Sequence, residues 1–288
     1  RIVNSSPSST VMGANDSELR FLTVENRGAS SQATGIQNIA TSPRLTHVSV
    51  LISGGASSNT GISNVNAAAT VMKSVTVRID PAVAAVSTGI EISSGASAVM
   101  NDVTVNITGG GNASGMTCNS YSTLTVQNVN VNVSGAGGAG YGIYSQACSL
   151  TASQSSIRVS AGGNVLGVYS IAPSAPPTLT GMNIGVSGGN YSYAVGNANS
   201  GYTLLLANSA TENTAIFNSG NVSLQYNVLV NSSQIEGSTR SVYGESGFRI
   251  RIGGSQMSGG PALSVGGSLV CAGVYDENYT FSTGPGCP

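Results

Sequence analysis

Four segments of this chain read as variants of one another. They are LTHVSVLISGG (Leu45 to Gly55), MKSVTVRID (Met72 to Asp80), MNDVTVNITGGG (Met100 to Gly111) and VQNVNVNVSGAGG (Val126 to Gly138). Each carries three apolar residues at alternate positions, and most end in a glycine cluster. The middle members, Val50, Val77, Val105, Val131, Ile157 and Ile184, are spaced by 27, 28, 26, 26 and 27 residues. Counting back 26 reaches Val24, and stepping forward by 22 reaches Leu206, Val228 and Ile250. A second row pairs a small residue with an aliphatic one: Gly35-Ile36, Gly61-Ile62, Gly89-Ile90, Gly115-Met116, Gly142-Ile143, Gly167-Val168, Ala194-Val195, Ala215-Ile216, Ser241-Val242 and Ala262-Leu263. Both rows keep nearly the same period and both shorten in the last third. A fixed period of this length overrides any domain count taken from chain length.

Alternation over five or six residues is a strand signal, and nothing in the repeat has the 3.6-residue spacing of a helix. The alternating positions are mostly β-branched, as a pleated, half-buried surface prefers. Gly, Asn, Ser and Pro (Pro43, Pro81, Pro173, Pro176, Pro177) fill the breaks and supply turns. One coil of two or three short strands cannot bury its own apolar side. Stacked at ~4.8 Å per rung, successive coils pair strand on strand and like residue on like. The inward stacks are then Leu22/Val48/Val75/Val103/Val129, Val24/Val50/Val77/Val105/Val131/Ile157/Ile184 and Ile52/Ile79/Ile107/Val133/Val159/Val186. The expected fold is all-β: a single parallel β-helix of ten to eleven coils, period 20–28 residues, about 50 Å long. Parallel crossovers make its sense right-handed. The helix is expected over residues 1–270, after an irregular first segment, with residues 271–288 as a C-terminal cap closed by a disulfide. Leucine-rich repeats share the period, but the chain has only 15 Leu and no recurring Asn landmark. A calcium-binding β-roll needs Asp after its glycines, and the chain has four Asp in all.

Only 7% of the residues are charged, against roughly 25% in an ordinary soluble domain. The net charge of −1 gives no electrostatic grip on nucleic acid or an anionic membrane. No apolar run approaches ~18 residues, so no membrane span is expected. Cys118 and Cys148 lie one coil and a few residues apart, so adjacent rungs can bring them together at a corner. Cys271 and Cys287 bracket a non-repetitive tail. Two bridges and a Ser/Thr/Asn/Gly-rich surface suit an extracellular protein. Neither pair has zinc-ligand spacing, and the lone His47 completes no such site, so no metal or cofactor is expected. The sequence starts at Arg1 and is read as a processed chain, which makes a missing targeting segment uninformative.

The motifs ELRFLTVEN (Glu18 to Asn26) and SPRLTHV (Ser42 to Val48), the recurring SGG and YGIY elements, and the closing CAGVYDENY (Cys271 to Tyr279) carry a resemblance. The chain resembles, from about Asn15 onward, uncharacterised bacterial secreted right-handed parallel β-helix repeat proteins of the pectin-lyase-like fold. That resemblance implies a fold and an extracellular or cell-surface location, and it carries over no catalytic residue.

Many β-helices cut acidic polysaccharides, and such chemistry needs converging acids. Paired carboxylates across a glycosidic bond sit about 5–9.5 Å apart. Here Asp16, Asp80, Asp102 and Asp276 are scattered, Asp80/Glu91/Asp102 and Glu236/Glu245 are the only groups near one another in the repeat, and Arg249-Ile250-Arg251 is the one echo of a basic motif. No enzymatic activity is expected. The residue after each small-aliphatic pair points outward: Gln37, Ser63, Glu91, Thr117, Tyr144, Tyr169, Gly196, Phe217, Tyr243. Tyr144 and Tyr169 fall on adjacent rungs, with Tyr141, Tyr191 and Tyr193 nearby. Such a ladder can stack on sugar rings or dock a partner, or simply brace neighbouring strands. A further outward row, Ser49/Thr76/Thr104/Asn130/Ser156/Asn183, lies beside the irregular row Leu51/Arg78/Asn106/Asn132/Arg158/Gly185, which excludes a flat ice-binding lattice. The first rung has no helix over its strand edge, so end-to-end or lateral association of copies is expected. The sequence thus reads as a structural or adhesive protein of a bacterial surface that assembles into a fibre or sheath. The alternative is a polysaccharide-binding or polysaccharide-cleaving β-helix.

Overall fold

Every strand pairing in the computed structural model is parallel apart from one isolated bridge in the C-terminal tail. The structure describes residues 1–6, 8–28, 31–80, 86–205, 207–220, 224–282 and 286–288, and among them there is no helix. The strands form an 18-stranded sheet and an 11-stranded sheet. The chain is a parallel β-solenoid, and the eleven strands of the smaller sheet agree with the ten to eleven coils expected.

Each coil has three faces. In the early coils one long strand, such as Ser97–Thr108, supplies the first two faces. It turns the corner at a residue in the left-handed region, here Asp102 with φ 56°. Phe21, His47 and Ser74 occupy the same corner at φ 51°, 53° and 54°. From Asn128 (φ 51°) and Gln154 (φ 49°) onward the bend splits the strand in two, as in Thr123–Gln127 and Asn130–Ala136. A left-handed conformation costs a non-glycine residue about 1–2 kcal/mol. The repeated bend survives because the strands on both sides of it are hydrogen-bonded to the rungs above and below. The third face is formed by strands such as Gly140–Gln146 and Asn164–Ile171.

All three inward stacks form as expected. Val50, Val77, Val105 and Val131 pair in register and are fully buried, and Ile52, Ile79 and Ile107 do the same beside them. Val24 pairs with Val50. Beyond Ile184 the central row departs from the expected step of 22. It continues through Ser209, Ile235 and Met257, so the spacing stays at 25 and 26 before falling to 22. Val228 and Ile250 belong to the first face, in a column with the buried Tyr202, and Leu206 lies outside the described residues, as does Pro81. First-face and second-face strands alternate identically, so a counting rule slides from one face to the other. At the last rung Val242 pairs with Ala262, and Leu263 takes the outward place.

The two small-residue and aliphatic rows meet in the core. A Cβ built on Gly35, Gly61, Gly89 or Gly115 falls 2.2–2.4 Å from a Cγ of Val50, Val77, Val105 or Val131 respectively. Gly142 and Gly167 stand in the same relation to Ile157 and Ile184. Glycine is required here because the facing branched side chain already fills its side-chain volume.

Rather than an irregular segment, the first residues form two short strands, Ile2–Asn4 and Ser9–Met12, paired with Glu18–Asn26 and Gln32–Ile39. Ile2 aligns with Val24 and Val11 with Ile36, so each strand extends an inward column by one rung. Two disulfides are present. Cys118–Cys148 (Cα–Cα 5.8 Å) joins the third face of one coil to the corner that follows the third face of the next, and both residues are fully buried. Cys271–Cys287 (Cα–Cα 5.2 Å) ties the tail to the last strand, Ser268–Ala272.

Candidate functional site

The third face presents two outward columns. One runs Thr117, Tyr144, Tyr169, Gly196, Phe217, Tyr243, as the sequence row predicts. The other runs Ser114, Tyr141, Leu166, Tyr193, Thr214, Arg240. Parallel pairing in register holds every ring within one rung of the next.

Two aromatic clusters result. In the first, Tyr141 meets Tyr144 edge-on (5.3 Å, 74°) and both lie near Tyr169 (6.4 and 6.0 Å). In the second, Tyr193 stacks on Phe217 (4.4 Å, 9°) and Phe217 on Tyr243 (5.5 Å, 12°), with the Arg240 guanidinium 4.8 Å from the Tyr243 ring centre. Gly196 separates them. A Cβ there would lie 2.8 Å from the Tyr169 ring and 3.0 Å from Leu166, so the glycine is the floor across which Tyr169 leans. Between the clusters opens a shallow groove of about 280 Å³, lined by Tyr141, Leu166, Tyr169, Tyr193 and Phe217, with Tyr191 at its exposed rim. Burial raises the Tyr141, Tyr169 and Tyr193 phenols above their ordinary value, with Tyr144 adding to the effect on the first two. All three stay neutral at physiological pH, leaving an apolar ring face with a hydroxyl able to donate.

The structure thus brings Tyr141, Tyr144 and Tyr169 together and places Tyr193 across the groove. Sequence reasoning singled out those four and left aside Phe217, Tyr243, Leu166 and Arg240. Phe217 and Tyr243 already stand in the outward row read from the sequence, past Gly196, without being counted among the binding candidates. Leu166 and Arg240 carry no signal of their own and emerge only from the register of the second column.

The acids do not converge. Asp80 ends the second face and pairs with Arg78 (2.6 Å). Asp102 sits at the bend before it and accepts from Asn128, while Glu91 is on the third face and accepts from Ser63 Oγ (3.0 Å). Glu236 lies in the second-face strand Gln234–Gly237, whereas Glu245 follows the third-face strand Arg240–Gly244. Arg249 and Arg251 point outward on either side of the inward Ile250, and His47 packs on Phe21 (4.9 Å). Among the described residues no three His, Cys, Asp or Glu side chains gather as metal ligands would.

The fold and this face define a parallel β-solenoid protein with an aromatic platform along one side. Compared with models of protein families, with curated proteins and with solved structures, the chain matches none.

Proposed function

We propose that this protein is an extracellular, non-enzymatic β-solenoid with a structural and adhesive role at a bacterial surface, and that its third face is the contact surface for a polysaccharide. The observation that carries this reading is the groove between Tyr141/Tyr169 and Tyr193/Phe217. Sugar rings present axial C–H groups to the faces of aromatic rings, and a row of rings at rung spacing offers several such contacts to one chain. Extracellular placement is supported by the two disulfides, which persist in oxidising compartments. Placement of Asp80 at the end of the second face, Glu91 on the third face and Asp102 at the bend supports binding over cleavage, since both glycosidase geometries need two facing acids.

Affinity electrophoresis through gels containing neutral or acidic polysaccharides tests the reading. Native protein is expected to be retarded in at least one gel, and Tyr169→Ala with Phe217→Ala to abolish the retardation while the melting temperature changes little. Unaltered retardation in the double variant would assign the rings to bracing of the sheet alone, and turnover of the polysaccharide would overturn the non-enzymatic part.

A further inference from the structure

The second face carries charges that the aromatic platform leaves unused. In its central outward column Asn132, Arg158, Gly185, Ala210 and Glu236 follow one another rung by rung. Arg158 and Glu236 are exposed, and among the described residues neither enters an ion pair within the chain. Three rungs, roughly 14 Å, separate them. Between them lies an open groove of about 510 Å³. Gly185 is not demanded by its backbone or its neighbours, because a Cβ there would meet nothing within 4 Å. A glycine inside a strand weakens it and marks, among other things, a place where another backbone or a ligand comes close.

We infer that this face is the interface between two copies of the chain, packed face to face with their rods antiparallel. The two-fold axis lies in the interface along the strand direction, midway between the rungs of Gly185 and Ala210. That operation sets Arg158 of each copy against Glu236 of the other, so two ion pairs form between residues that, among the described residues, enter none within the chain. It sets Gly185 against Ala210, and these small residues leave the room into which the long charged side chains fold. The flanking columns obey the same symmetry. Asn183 meets Asn208 and Ser156 meets Gln234, amide and hydroxyl groups that can donate and accept. On the other side Glu212, whose carboxylate accepts from the Gly188 N–H (2.9 Å), meets Ser187. No carboxylate faces a carboxylate and no guanidinium faces a guanidinium. An isologous contact needs this self-complementarity, and one-directional charge along a column would deny it.

Sedimentation velocity of the whole chain over a range of concentrations tests the inference. Native protein is expected to dimerise, less so at high salt. R158E and E236R, each folded by circular dichroism, are each expected to weaken dimerisation by about tenfold or more, since either reversal makes both pairs repulsive. Mixing the two single variants restores both pairs and is expected to restore a dimer, as is the double variant R158E/E236R. A native protein that stays monomeric, single reversals without effect, or a mixture no more associated than its components would each overturn the inference.

Discussion

The coils from Gly35 to Gly167 and the coils that follow solve the same packing problem differently. In the first region a glycine on the third face always meets a Val or Ile on the second. In the second region the glycine column becomes Ala194, Ala215 and Ser241, and the central column becomes Ser209, Ile235 and Met257. Where the facing residue shrinks to Ser209, the inward small residue has grown to Ala194. Where it returns to Ile235, the strand that carries it is short, Gln234–Gly237, and only Ser238 and Thr239 separate it from Arg240–Gly244. The two facing columns exchange volume at Ala194 and Ser209, as close packing requires, whereas Ala215 facing Ile235 and Ser241 facing Met257 fill more space than the glycine pairs before them. Strict pairing of glycine with a branched residue is the solution of the first region alone.

Moving a single methyl group in opposite directions should break this contrast. Gly115→Ala puts a Cβ 2.2 Å from Val131 Cγ1 and 2.7 Å from the Gly142 carbonyl oxygen. It is expected to destabilise the protein by about 2–3 kcal/mol, the cost of overpacking a rigid interior. Denaturant melts check this, and combining it with Val131→Ala should cost less than the two changes added together. If Gly115→Ala were neutral, the glycine column would be a matter of ancestry and not of packing. Ala215→Gly makes the reverse exchange in the second region. There the loss is expected to be about 1 kcal/mol, from the missing buried methyl and the added backbone freedom of glycine. A stabilising Ala215→Gly would mean that the later coils still call for glycine at this column.

Most of the fold was legible in the residues because each inward stack repeats its own chemistry. Val50, Val77 and Val105 reveal one another, and no single strand needed to be recognised by itself. Legibility failed where two faces carry the same alternation. Nothing in Val228 or Ile250 says which side of the bend it occupies, and only the hydrogen-bonded register assigns both to the first face. The aromatics show the same limit. Tyr144, Tyr169, Phe217 and Tyr243 share an outward row, yet Tyr202 and Phe248 are buried, and an isolated Tyr or Phe in the sequence carries no sign of its direction. Gly185 was least legible of all. In a chain with 39 glycines, one that nothing sterically requires looks like every other until its surroundings are known.

The contrast between regions extends, more weakly, to the end rungs, where each end is secured around a carboxylate. In the first coils Glu25 is clasped by Arg27 and Arg1, and their hydrogen bonds hold its carboxyl below the usual range. In the tail Asp276 accepts from the backbone N–H groups of Thr280 and Asn278 (both 2.8 Å), and chiefly the Thr280 contact lowers its carboxyl likewise. A carboxylate with a folded pKa below its unfolded one stabilises fully above the unfolded value, and that stabilisation is lost as pH falls through the folded one. Both ends should therefore be indifferent to pH from about 7 to 5 and should loosen below about 4. Hydrogen exchange at the Asn278 and Thr280 amides reads one end, and exchange along Ile2–Asn4 reads the other. Salt separates them. The clasp at Glu25 joins full charges near the surface and should weaken as ionic strength rises, while the turn at Asp276 rests on short contacts to amides and should hold. Asp276→Asn keeps an acceptor oxygen without the charge, so it should leave the turn formed and remove its acid sensitivity. Protection of Asn278 and Thr280 that still collapses below pH 4 in that variant would place the sensitive group elsewhere in the tail, with Glu277 next to be tested.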